Sequence, residues 1–214
     1  MSNDIGKHMK RFQRYMDKGW DIETPDWLGY TPLECAISRM NGRMHQAFEE
    51  TIALILLGAD IEPVKYDPNN LRDRESPLME AAKRGRLTLC EQLIKRGATV
   101  NYMTSCGNSP LQLASYYDHP RTCFLLLKNG ADPNQFLTER KLITGNMKTW
   151  PPLLLALYHN RETLVMHLIQ RKAHVTEEIK AQAMQILEWK FEKCHRLSDC
   201  FSEAFTFEKN RRPS

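Results

Sequence analysis

Apolar residues recur along this chain at helical spacing, in short bursts separated by glycine. Between Ser76 and Asn101, Leu78, Ala81 and Ala82 give one short helix a small apolar face, and Leu87, Cys90, Leu93 and Ile94 give a second. Gly85 stands between them and Gly97 closes the second, each where a positive φ ends a helix without steric cost. Ser76 opens the unit as an N-cap and Pro77 as the first helical residue, where a missing N–H removes no intrahelical bond. Helices this short are marginal alone. The pattern therefore predicts neighbours built on the same plan.

The same opening stands four times: TPLECA from Thr31, SPLMEA from Ser76, SPLQLA from Ser109 and PPLLLA from Pro151. A closing phrase recurs at Gly19, Gly58, Gly97, Gly130 and Lys172. Opening to closing spans 21 residues for Ser76–Gly97, Ser109–Gly130 and Pro151–Lys172, and 27 for Thr31–Gly58. Closing to the next opening spans 12, 18, 12 and 21 residues, so the period is 33 with additions of 6, 6 and 9. The chain resembles the ankyrin repeat in its T-P-L-H-x-A opening and 33-residue period. The resemblance covers roughly residues 1–176. It implies an all-α fold, an ankyrin-repeat solenoid of stacked helix–turn–helix units joined by β-turn fingers. All helices are expected to be short except the last.

Three parts follow. Residues 1–22 form an N-terminal capping half-repeat, with Ile5, Met9, Phe12 and Met16 on one stripe. Residues 23–176 form repeats 1–4, and residues 177–214 a C-terminal capping helix and tail. The six additional residues of the first repeat lie in Met40–Glu49, where Asn41-Gly42 signals a turn between lengthened helices. Enlarged fingers occupy Glu62–Glu75 and Gln135–Thr149. In the last repeat Asn160 and Lys172 stand where glycine is usual, which leaves the ending of its second helix open. Thr176 then caps a helix whose apolar face is Ile179, Ala183, Ile186, Leu187 and Phe191.

Charge narrows the function. Thirty Lys and Arg against 26 Asp and Glu give +4, with no basic block, which argues against nucleic acid. Cys90 and Cys123 lie 33 apart and read as core residues; Cys35 is also expected to face inward. Cys194-His195 with Cys200 lacks a partner CxxC, so no metal site is expected. Reduced thiols and the absence of a glycosylation sequon point to the cytoplasm, or the nucleus. No apolar run is long enough for a membrane span, and the polar first twenty residues do not read as a signal peptide.

No catalytic motif is legible: there is no GxSxG, P-loop, HExxH or dinucleotide turn. The reading is a non-enzymatic protein without a cofactor. The resemblance implies that partner contacts lie beside the finger turn and on the exposed side of each first helix. These positions carry Trp27, Leu28, Tyr30 and Arg39, then Arg72, Asp73, Lys83 and Arg84. Further along they carry Tyr116, Tyr117, Lys148, Trp150, Tyr158 and His159. Counting every such position, six of the chain's 11 Trp and Tyr fall there, and Trp, Tyr and Arg are the residues of binding hot spots. Local packing between fingers is the competing reading, above all for Tyr30 and Trp150.

The expected function is a protein–protein interaction module, a scaffold or adaptor, monomeric before it binds. One alternative is an inhibitor, immunity or effector-type protein that masks another protein's active site, acting in a host cytosol if an effector. The other is an adaptor for a ubiquitin-ligase core, though a SOCS box needs Leu four residues before Cys, and Lys190 and Arg196 stand there instead. Asn101 and Asn134 each follow a Leu by eight residues, which resembles sites of asparaginyl hydroxylation in ankyrin proteins; a plain turn asparagine is the alternative.

Overall fold

The structure is a computed structural model that describes residues 3–41, 44–62, 75–104, 107–135 and 150–190. Ten α-helices lie among the described residues, with no strand. They are α1 (Asn3–Met16), α2 (Pro32–Ser38), α3 (Met44–Leu56), α4 (Pro77–Lys83), α5 (Leu87–Lys95), α6 (Pro110–Tyr116), α7 (Pro120–Lys128), α8 (Pro152–Tyr158), α9 (Glu162–Gln170) and α10 (Glu177–Lys190). A 3-10 turn, Arg39–Asn41, follows α2.

The openings fold as their residues dictate. Each of the four places a proline at the first helical residue: Pro32, Pro77, Pro110 and Pro152. Thr31 makes a full capping box: its hydroxyl accepts from the Glu34 amide, and the Glu34 carboxylate accepts from the Thr31 amide at 2.8 Å. Ser76 and Ser109 cap the amides of Met79 and Gln112 at 3.2 Å. The fourth opening has Pro151 at this place and no side-chain cap.

The closings share one geometry. The amide after each closing residue donates five residues back, as in Ala98 to Leu93 at 3.1 Å and Ala131 to Leu126 at 3.0 Å. Lys172 keeps this geometry without being glycine. It takes φ 63°, and Ala173 donates to Leu168 at 2.9 Å. Asp118 and Asn160 also take positive φ, at the turns between paired helices.

Two expectations are corrected. The last helix is not the only long one, since α1 also has 14 residues and α3 has 13. The extra residues of the first repeat do not lengthen both its helices, because α2 keeps seven residues like α4, α6 and α8. The cause is local. The Arg39 amide caps the end of α2, and Met40 is fully buried beneath the turn, which leaves the extension to α3.

The chain divides into two compact units, Met1–Ala81 with Arg86–Thr99, and Ala82–Gly85 with Val100–Ser214. In the first, α3 packs against both α1 and α2. Its core includes Leu33, Ile37, Met40, Leu54 and Ile55. In the second, α6 pairs with α7 and α8 with α9, while α6 also packs on α8 and α7 on α9. Helix α10 packs on α8 through a face that buries Ile179, Ala183 and Ile186. Burial pushes the Cys90 and Cys123 thiols up to about 12, as expected for core residues. Cys35 is half-buried.

Asp118 offers a test by pH. Arg161 Nε donates to it at 2.7 Å, and this guanidinium holds the Asp118 carboxyl below its usual value. A depressed carboxyl stabilises above its unfolded value, near 3.8, and the stabilisation is lost as pH falls through the folded value. Asp118→Asn keeps a residue that tolerates positive φ and removes the charge. Urea unfolding at neutral pH should show a loss of under about 1 kcal/mol, since solvent reaches both side chains of the pair. The variant and the parent should converge in acid. A difference that is constant with pH would assign the loss to something other than the carboxylate.

Candidate functional site

The first finger is a turn pinned from within. The Gly29 amide donates to the Asp26 carbonyl at 2.8 Å, and the Asp26 amide to the Tyr30 carbonyl at 2.9 Å. Asp26 Oδ1 accepts from the amides of Leu28 and Tyr30, each at 2.9 Å, and its Oδ2 lies 3.4 Å from the Cys35 thiol. Gly29 supplies the positive φ, 79°, that closes the turn. The turn carries Trp27, Leu28 and Tyr30 into solvent at 89%, 52% and 47% exposure. Arg39 is exposed at the end of α2. The finger before α6 repeats the plan: Gly107 donates to the Thr104 carbonyl at 2.8 Å and Thr104 to the Asn108 carbonyl at 3.0 Å.

In the second unit the expected residues form a connected line. Tyr116 and Tyr117 meet edge-to-face at 4.9 Å, and Tyr117 is 41% exposed. His159 Nε2 sits 3.2 Å from the Tyr116 carbonyl and its ring lies 5.2 Å from that of Tyr158. Tyr158 in turn meets Trp150 edge-to-face at 6.0 Å. Trp150 is half-buried, with its indole nitrogen fully so, and its carbonyl accepts from Gln112 Nε2 at 2.7 Å. Lys83 and Arg84 are half-buried, and His119 Nε2 lies 3.1 Å from the Lys83 carbonyl. Arg72, Asp73 and Lys148 lie outside the described residues.

Asn101 and Asn134 join fingers. Asn101 donates to the Gly130 carbonyl at 2.9 Å and accepts from the Asp132 amide at 2.8 Å. Asn134 does the same with Lys172 and His174. In the first unit Glu23 and Glu62 hold the equivalent places and accept from the amides of Asp60 and Thr99, each at 2.8 Å.

One feature escaped the sequence. A groove of about 520 Å³ opens beside α1 and α2, with Phe12 and Trp20 on its wall. These rings stack at 6.0 Å. The position of Trp20, directly after a closing glycine, was the one available signal. Among the described residues, no group of three or more His, Cys, Asp or Glu is placed to hold a metal ion.

Paired seven- and nine-residue helices, proline-opened and joined by pinned turns, define a class of repeat proteins that works by presenting a surface. A model of ankyrin repeats matches residues 44–136 in three copies, so this stretch of the chain is built of ankyrin repeats. It is similar to the ankyrin repeat domain-containing protein SAT10 of Stachybotrys chartarum, 43% identical over 67 residues, which are 28% of this chain and 4% of that one. It is similar to the putative ankyrin repeat protein FPV031 of Fowlpox virus, 32% identical over 106 residues, 49% of this chain and 29% of the relative. A segment of 65 residues, 29% of the chain, is 38% identical to 7% of the human oxysterol-binding protein-related protein 1. The chain thus spans under a third of the length of these curated relatives. Ankyrin repeats generally mediate protein–protein interaction and are typically non-enzymatic. Among the described residues, no helix is long and apolar enough to cross a membrane.

Proposed function

We propose that this chain binds a partner protein through its fingers and first helices. The candidate contacts are Trp27, Leu28, Tyr30 and Arg39 in one unit and, taken separately, Lys83, Arg84, Tyr116, Tyr117, Trp150, Tyr158 and His159 in the other. Arg72, Asp73 and Lys148 extend this set by sequence position. The observation that carries the reading is Trp27, 89% exposed on a turn held by its own hydrogen bonds. A tryptophan so displayed gives nothing to folding, and a pre-ordered anchor loses little entropy on binding. Helices α1 and α10 serve as the caps of the repeat array, and the protein acts in the cytoplasm.

Pull-down from native lysate with mass spectrometry supplies the partner, and calorimetry at fixed salt tests the surface. Trp27→Ala and Tyr117→Ala should each weaken binding by about 2 kcal/mol or more, with folding stability unchanged to about 0.5 kcal/mol. Trp150→Ala should weaken binding too, but with a stability cost, because the ring packs on Tyr158. Charge reversal at Lys83 or Arg84 should act on the association rate and its salt dependence. Changes at Glu91 or Lys95 on α5 should be near neutral. If those changes abolish binding while Trp27 and Tyr117 prove silent, the partner sits on the second helices and the reading fails.

A further inference from the structure

The shape of the first finger depends on one side chain. Asp26 opens the turn that the Gly29 amide closes on the Asp26 carbonyl, so Trp27 and Leu28 are its two central residues. Asp26 Oδ1 accepts from the amides of Leu28 and Tyr30, each at 2.9 Å. These amides belong to the peptide units that join Trp27 to Leu28 and Gly29 to Tyr30. One carboxylate thus fixes the direction in which three exposed side chains leave the turn. Its other oxygen, Oδ2, accepts from the Cys35 thiol of α2 at 3.4 Å, which ties the finger to its own helix. Both oxygens are therefore engaged within the protein. In the finger before α6, Thr104 stands at the same place, five residues before the opening, and its hydroxyl accepts from the Asn108 amide at 3.2 Å. A neutral hydroxyl grips more weakly than a carboxylate.

We propose that Asp26 is a positioning residue for partner binding: it sets the affinity of the Trp27 finger by holding it in the bound shape, without touching the partner. This inference rests on the reading of the finger as a binding surface and adds a residue that the reading does not contain. Affinity falls in proportion to the fraction of molecules whose finger is in the competent shape. A finger ordered in advance also loses less entropy on association. Asp26 acts on both quantities from inside the turn.

Three variants of the full chain test this. Asp26→Ala removes the acceptor, Asp26→Asn keeps an oxygen for the two amides, and Trp27→Ala removes the anchor. Amide exchange by NMR needs no partner. In Asp26→Ala the Leu28 and Tyr30 amides should exchange about tenfold faster than in the parent, while Asp26→Asn stays close to it. The amides of Leu89 and Leu93, buried on α5, should not change, which separates a loosened finger from a loosened fold. Calorimetry then uses the protein captured from native lysate. Asp26→Ala should weaken its binding about tenfold, and Asp26→Asn by less than about threefold. With Trp27→Ala in the background, Asp26→Ala should add less than about threefold, because no anchor is left to position.

Unchanged exchange at Leu28 and Tyr30 overturns the proposal. So does a loss from Asp26→Ala that adds in full to that of Trp27→Ala, or one that Asp26→Asn fails to rescue, since either makes the carboxylate a contact in its own right. If Trp27→Ala weakens binding and Asp26→Ala does not, the positioning role alone falls. If Trp27→Ala leaves binding intact, the finger is not the binding surface and the reading beneath falls with it.

Discussion

Gly85→Ala should destabilise the protein by about 2–5 kcal/mol, from about 1–2 for a left-handed backbone and about 1–3 for overpacking. Gly85 sits at φ 63°, where a side chain is strained whatever space surrounds it. Here there is also no space. A Cβ at this position would lie 2.5 Å from His119 Nδ1 and 2.7 Å from its Cγ. The imidazole cannot simply swing away, because its Nε2 is tied to the Lys83 carbonyl at 3.1 Å. Urea unfolding measures the cost, and a double-mutant cycle locates it. With His119→Ala in the background the clash disappears, so the pair of changes should cost clearly less than their sum. Strict additivity, or a cost for Gly85→Ala under about 1 kcal/mol, would mean that the ring moves aside freely.

Leu111→Ala should cost about 2–5 kcal/mol, the range for truncating a large core residue. Leu111 is 1% exposed on α6, a seven-residue helix that packs on both α7 and α8. Such a helix has little stability of its own, so its packing carries the loss directly. Denaturant unfolding should show the midpoint fall, and a change in slope as well would signal that the helix pair opens before the rest. A loss within about 0.5 kcal/mol would contradict the burial seen here.

Features set by one residue and its own backbone were legible in the sequence. Ser109, Pro110 and Gly130 announce a cap, a first turn and a stop, and each does what its chemistry requires. Lys172 shows the limit of that logic. The unit imposes the family's ending on a residue that would not choose it, because the bond from Ala173 to Leu168 needs the same backbone. Contacts between distant segments were not legible. Gly85 read as a helix breaker, but nothing local reveals that a histidine 34 residues later fills the space beside it.

The candidate surface divides on the same line. Tyr30 and Trp150 occupy the same place before their openings, and local packing was the competing reading for both. Tyr30 remains 47% exposed, whereas Trp150 packs on Tyr158. Seven residues after each opening the chain has Ser38 in one case and Tyr158 in the other, and Tyr158 is the ring that Trp150 meets. The groove depends on α1, α2, the first finger and α3 together, so no stretch of sequence contains it.

The joints between fingers bear on how such a chain grows and shrinks over generations. Glu23, Glu62, Asn101 and Asn134 each stand four residues after a closing glycine, and each is met by the amide two residues after the next closing position. Only the accepting side of the joint is written in a side chain; the donating side is a backbone amide, and any residue but proline provides it. A duplicated 33-residue segment would thus arrive with its own connector and a socket for its neighbour's. Copies can be gained or lost at these joints without a matching substitution elsewhere, and the fingers stay in register across the junction.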